Sequence, residues 1–135
     1  GAANWFSTSF NPATGLYYVQ TLEKCTIFKK APGEWKAGQS YYGGATLEAD
    51  EPAQKILRAI DIETGQVAWE LAQTGSARSW GGTLATASGL VFFGEDSGAI
   101  MAVDAATGKP VALSAAAITR TDSMRVFMGS ILIFC

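Results

Sequence analysis

Chemistry in this chain has to come from a short roster of side chains. There is no histidine among its 135 residues. That excludes Ser-His-Asp and Cys-His triads, the H-E-x-x-H helix and most zinc sites. Cys25 and Cys135 are the only cysteines, too few for a disulfide framework or a metal cluster, and both read as free thiols. Asp61 and Asp104 each stand in an Asp-x-x-Thr-Gly stretch, and Asp96 in Glu95-Asp96-Ser97-Gly98. These are turn sequences, not paired general acids and bases. The run Glu48-Ala49-Asp50-Glu51 lacks the tight glycine turn around which calcium loops space their oxygens, so it reads as acidic surface. Lys29-Lys30 reads as a solvated pair. Gly81-Gly82 and Gly94–Gly98 do not match a phosphate-cradling loop. The residues supply no self-contained catalytic constellation.

Composition bounds the elements that must position whatever chemistry there is. Hydrophobic residues make up 48% and charged residues 16%, a balance that folds rather than stays disordered. The length suits one ordinary domain. A net charge of −2 argues against an electrostatic grip on nucleic acid. No window approaches the roughly 20 apolar residues of a membrane span. The start, GAANWFSTSF, shows no basic and apolar signal pattern. Fifteen glycines and 11% aromatic residues lean towards β-structure with tight turns.

An internal repeat gives the organisation. LRAIDIETGQVAW at Leu57–Trp69 matches IMAVDAATGKPVA at Ile100–Ala112, so Asp61, Thr64 and Gly65 pair with Asp104, Thr107 and Gly108 at an offset of 43 residues. That offset lies in the range of propeller blades. In each copy alternating residues lead into the turn, where the Asp carboxylate can accept backbone N–H groups and Gly supplies a positive φ. A strand then folds back, and in the first copy it carries Trp69, an indole able to pack beneath a neighbouring blade. Gly15–Val19 likewise resembles Gly89–Phe93, and Arg125–Gly129 echoes Leu90–Gly94 more faintly.

Strands are expected at Phe6–Phe10, Leu16–Gln20, Leu57–Asp61, Val67–Leu71, Gly82–Ala87, Leu90–Gly94, Ile100–Asp104, Val111–Leu113, Arg125–Met128 and Ile131–Phe134. One domain, 1–135, holds blade repeats near 57–71 and 100–113 and a long excursion at 23–54. The excursion reads as an extended loop with Trp35, Tyr41 and Tyr42 as anchors against the body, and a loop of that length is usually functional or part of an interface. Ala53–Arg58 admits a helix, although the repeat claims its end as a strand.

With these stretches in hand, the chain resembles the C-terminal portion of the pyrroloquinoline quinone (PQQ)-dependent alcohol and methanol dehydrogenases. GAANWFSTSFNPATGLYYV resembles that family's Asn-Trp pair and N-P-x-T-G-L-x-Y-V strand. LRAIDIETGQVAWE resembles its tryptophan-docking repeat, A-x-D-x-x-T-G-x-x-x-W. WGGTLATASGLVFFGEDSGAIMAVDAATGK resembles the next blade, W-x-G-x-L-x-T-x-G-L-V-F. The resemblance implies an all-β fold, an incomplete β-propeller of about two four-stranded antiparallel blades plus a partial one, from an eight-bladed ring. It implies PQQ as cofactor with a calcium or lanthanide ion, oxidation of alcohols with hydride passing to the quinone, and a periplasmic setting. Carried over, Asn4 would donate its amide to the cofactor's oxygens, and Trp5 and Trp80 would line its cavity. Judged from residue type alone, Asn4 is a turn residue and the tryptophans are packing.

The departures from the family matter as much. Its metal ligands, its catalytic aspartate and its adjacent-cysteine disulfide lie upstream of the Asn-Trp element. The resemblance therefore assigns no catalytic or metal-binding residue here, and a fragment inactive alone is expected. The second docking repeat places Ala112 where the indole should stand. Two blades and a piece cannot close a ring of eight, so the expectation is a homo-oligomer formed by blade stacking or strand exchange, without nucleic acid or membrane as partner. The alternative function is a propeller-like structural or interaction module that binds a protein or saccharide through its loops. A third reading is a truncated product with no activity of its own.

Overall fold

Two turns of one design set the fold. In each, an aspartate at the end of a strand gathers the loop that follows. Asp61 Oδ1 accepts the backbone N–H groups of Glu63 and Thr64 at 2.9 Å and the Thr64 hydroxyl at 3.1 Å. Asp104 Oδ1 accepts Ala106 N at 3.1 Å, Thr107 N at 2.9 Å and the Thr107 hydroxyl at 2.7 Å. Gly65 N and Gly108 N then bond back to Asp61 O and Asp104 O, each at 2.8 Å. Both glycines have φ of +70°, which an L side chain rarely adopts.

The computed structural model describes residues 3–75 and 81–114, with only the backbone at 112–114. Among the described residues the elements are all strands: β1 (Ser9–Asn11), β2 (Leu16–Glu23), β3 (Thr26–Lys30), β4 (Gly44–Glu48), β5 (Gln54–Asp61), β6 (Val67–Ala72), β7 (Thr83–Ala85), β8 (Leu90–Gly94), β9 (Ile100–Asp104) and β10 (Pro110–Ser114). One antiparallel sheet runs β1-β2-β5-β6 and a second β7-β8-β9-β10. The register repeats as well. Ser9, Tyr18, Ala59 and Trp69 form a cross-strand row in the first sheet, and Leu84, Phe92, Ala102 and Ala112 form its counterpart in the second. Even the irregularity recurs, between Ala59 and Ile60 in one sheet and between Pro110 and Ala112 in the other.

The core lies between the sheets. Leu16, Tyr18, Leu57 and Ala59 of the first pack with Val91, Phe93, Met101, Val103 and Ala105 of the second. Strand alternation puts these residues on facing surfaces. Tyr18, Leu57, Val91 and Val103 are fully buried. Burial also raises the pKa of the Tyr18 hydroxyl, so it keeps its proton and donates a hydrogen bond to the Ala105 carbonyl at 3.0 Å.

Several expected boundaries moved. β1 is shorter and later than Phe6–Phe10, and β2 runs on to Glu23. Ala53–Arg58 is not helical, since Gln54 onwards pairs with β2 over eight residues. The excursion holds a two-stranded hairpin, β3 with β4. Trp35, Tyr41 and Tyr42 do not anchor it, because they are 67%, 49% and 88% exposed. Cys25 is a free, exposed thiol. Arg125–Met128, Ile131–Phe134, Trp80 and Cys135 lie outside the described residues.

The turn geometry has a pH signature. Asp61 is held below the ordinary carboxylate range, first by the Thr64 backbone N–H and next by the Thr64 hydroxyl. Asp104 is lowered first by the Thr107 hydroxyl and next by its backbone N–H. A depressed folded pKa means that the unfolded chain takes up protons first as pH falls. The stabilisation is complete above the unfolded value of about 4 and is lost as pH falls through the lower folded values. Urea midpoints should therefore drop on acidification in that window. In an Asp61→Asn/Asp104→Asn double variant, which keeps an acceptor oxygen without its titration, the slope should flatten. An unchanged slope would contradict the assignment.

Candidate functional site at the start of the inner strands

Short first strands begin each sheet, and the segments leading into them run together. Thr83 N donates to Ser7 O at 2.9 Å, and the Ser9 and Thr83 hydroxyls lie 2.8 Å apart. A side chain at Gly82 would meet Ser7 Cβ at 2.9 Å and Ser7 O at 3.0 Å, so the approach requires glycine there. Gln20, only 2% exposed, donates through Nε2 to the carbonyls of both Gly81 and Gly82 at 2.9 Å. Gln73 Nε2 donates in turn to Gln20 Oε1 at 2.9 Å. The first sheet thereby grips the peptide that follows Trp80.

The first two candidates, Asn4 and Trp5, stand three and two residues before Ser7. Asn4 accepts the Trp5 backbone N–H on Oδ1 at 3.0 Å, and Asn4 is exposed. The Trp5 indole is 78% exposed and tilted 51° against the Phe6 ring at a centroid distance of 6.0 Å. An indole and a carboxamide side by side are groups that can stack on a planar conjugated ring and hydrogen-bond its carbonyl oxygens. These two residues thus fit a quinone as a partial wall. The third candidate, Trp80, adjoins Gly81 but lies outside the described residues. Among the described residues no group of three or more His, Cys, Asp or Glu could hold a metal ion.

Sequence reasoning missed an equivalence that the register exposes. Ser9 stands opposite Tyr18 as Leu84 stands opposite Phe92, so Trp5 precedes Ser9 by as many residues as Trp80 precedes Leu84. The excursion hides this match, because it separates the two copies by far more than the 43-residue offset. Gln20 was missed too. Its signal was a carboxamide amid apolar strand residues, which demands a buried partner. Lys55 and Asp96 were likewise missed. Their side chains are 4% exposed, with Lys55 Nζ 3.9 Å from Asp96 Oδ1 across the two sheets. Burial lowers the Lys55 pKa, and the charges of Asp96 and Glu95 oppose that fall.

An indole also packs into the seam between the sheets, alongside the hydrogen bonds of Gln20 and Thr83. Trp69 Nε1 donates to the Ala105 carbonyl at 3.1 Å, and its ring lies 5.8 Å from that of Tyr18. A Cβ on Gly108 would fall 2.5 Å from Trp69 Cε3, so the indole sits flat against that glycine. A family model, PQQ_2, described as outer membrane protein assembly factor BamB, matches residues 43–124. The chain belongs to the PQQ-repeat family of β-propellers. Within it the chain is similar to quinoprotein alcohol dehydrogenase PedH of Pseudomonas putida, at 35% identity over 82% of this chain and 19% of that protein. It is similar also to the lanthanide-dependent methanol dehydrogenase of Methylorubrum extorquens, at 35% identity over 75% of this chain and 17% of that protein. Among solved structures, quinohemoprotein alcohol dehydrogenase from Comamonas testosteroni superposes with a TM-score of 0.72 at 27% identity, over 84% of this chain and 18% of that one. A europium-containing methanol dehydrogenase gives 0.73 at 29% identity, over 84% of this chain and 20% of that one. The chain thus spans less than a fifth of the length of the curated relatives it matches. As a PQQ-repeat protein it is a partial propeller, two adjacent blades joined by Trp69.

Proposed function

We propose that this chain forms part of the cofactor wall of a PQQ-dependent alcohol dehydrogenase and does not contain its catalytic centre. One observation carries the reading. The Thr83–Ser7 and Gln20–Gly81/Gly82 hydrogen bonds bring the segment that follows Asn4-Trp5 and the peptide after Trp80 together at the start of β1 and β7. The relatives' names support the cofactor and the reaction class. When bound, PQQ supplies two-electron oxidising chemistry. The Asn4 carboxamide would donate to its oxygens, and the Trp5 indole would shield it from water. The family resemblance gives Trp80 the same role. The base that takes the alcohol proton and the ligands of a calcium or lanthanide ion lie in other blades. The setting is periplasmic, as in the family the sequence resembles.

Dye-linked oxidation of a primary alcohol, with PQQ and calcium or lanthanide added, tests this division of labour. The chain alone should show no turnover above that of the cofactor in buffer. Turnover by the chain alone, lost in Asn4→Ala, would place the catalytic machinery here and contradict the proposal.

A further inference from the structure

The connection from β6 to β7 is held at both ends. At its start, Gln73 N donates to Lys55 O at 2.9 Å, and Thr74 N donates to Glu95 Oε1 at 3.0 Å. Glu95 Oε2 takes the Ser97 hydroxyl at 2.7 Å, so that carboxylate is engaged on both oxygens. Gly75 has φ of +133°, and a Cβ there would fall 2.1 Å from Asp96 Cβ. The connection thus runs directly against the turn between β8 and β9. At its end, Gln20 donates to the Gly81 and Gly82 carbonyls, and the same carboxamide accepts Gln73 Nε2. Trp80 lies in sequence between the two held ends.

Lys55 and Asp96 tie the first of these ends to both blades. Lys55 stands in β5 and Asp96 in the β8–β9 turn, with Nζ 3.9 Å from Oδ1 and both side chains buried. Desolvation offsets the attraction of so dry a pair, and apolar residues of the same size would serve a plain core as well or better. What the charges add is a fixed place for the turn. Glu95 and Asp96 are the residues of that turn against which Thr74 and Gly75 lie.

We propose that Lys55 is a positioning residue for the cofactor wall, a role that rests on the cofactor reading. With Asp96 it seats the β8–β9 turn, and the turn fixes where the connection leading to Gly81 and Gly82 leaves the first blade. Lys55 acts through Asp96, Glu95 and Thr74, not by touching the cofactor.

Replacing the pair by apolar residues tests it. Lys55→Met/Asp96→Leu removes both charges together, so it buries neither one without the other and should fold with wild-type circular dichroism. The NMR signals of the Thr74 amide and the Gln20 carboxamide should shift towards random-coil positions. Affinity for PQQ, read from saturable fluorescence quenching with calcium present, should weaken about fivefold or more. Wild-type NMR signals in this variant would overturn the proposal, as would shifted signals with PQQ affinity unchanged. Absence of saturable quenching in the wild-type chain would instead overturn the cofactor reading, and the NMR shifts then decide whether Lys55 positions the connection. If the double variant does not fold, Asp96→Asn, which keeps the shape and removes the charge, is read in the same way.

Discussion

Replacing Trp69 by alanine should cost about 2–4 kcal/mol in urea unfolding, the most damaging single truncation among the residues between the blades. The indole does three things at once. It covers Gly108, leans on the Tyr18 ring and donates to the Ala105 carbonyl. Truncation opens a void between the sheets and removes one of the two donors to that carbonyl, leaving the Tyr18 hydroxyl as the other. Trp69→Phe keeps a ring and loses the N–H, so it should cost less, by roughly the 1 kcal/mol of one net hydrogen bond in addition to the smaller volume. The loss should appear first as separation of the blades: amide exchange should speed up at Val91 and Val103 while the hydrogen bonds between β2 and β5 stay protected. A Trp69→Ala variant within about 0.5 kcal/mol of wild type would mean that the indole is not what joins the sheets.

The second large effect is a contrast between two glycines. Gly65→Ala and Gly108→Ala share the strain of a Cβ at φ of +70°, about 1 kcal/mol or somewhat more. Only at 108 does that Cβ also strike an indole, 2.5 Å from Cε3 and 2.7 Å from Cδ2 of Trp69. Gly108→Ala should therefore cost about 2 kcal/mol more than Gly65→Ala. In a Trp69→Ala background the collision is gone, and the two substitutions should cost the same. That coupling is what a double-mutant cycle isolates. Equal costs in the wild-type background would contradict the geometry of the seam.

What the sequence showed, and what it hid, follows from how each residue is used. The Asp-x-x-Thr-Gly turns were legible because each is closed by its own side chains, so residue type and spacing are the structure. Trp69 was legible because the first copy carries an indole where the second carries Ala112. The β3–β4 hairpin was hidden, because both its strands are exposed throughout and no burial imposes an alternating pattern. Its aromatics were misread as anchors for the same reason: a projecting ribbon has no body beneath it to receive Trp35 or Tyr42. Lys55 was unreadable as a buried residue, since its place depends on Asp96, distant in sequence and in the turn between β8 and β9. At the cofactor wall, Asn4 and Trp5 were named from resemblance alone. The structure adds the hydrogen bonds of Gln20 and Ser7 that set their segment beside the peptide following Trp80.

Trp5 and Trp80 are the proposed cofactor tryptophans, whereas Trp69 packs against the neighbouring blade. Tryptophan fluorescence during titration with PQQ and calcium measures this division directly. The expected result is saturable quenching of the wild-type chain that disappears in Trp5→Phe/Trp80→Phe, with thermal unfolding of that variant unchanged and the emission that remains, from Trp35 and Trp69, insensitive to PQQ. Quenching that persists undiminished in the double variant, or the absence of any saturable quenching in the wild-type chain, would contradict it.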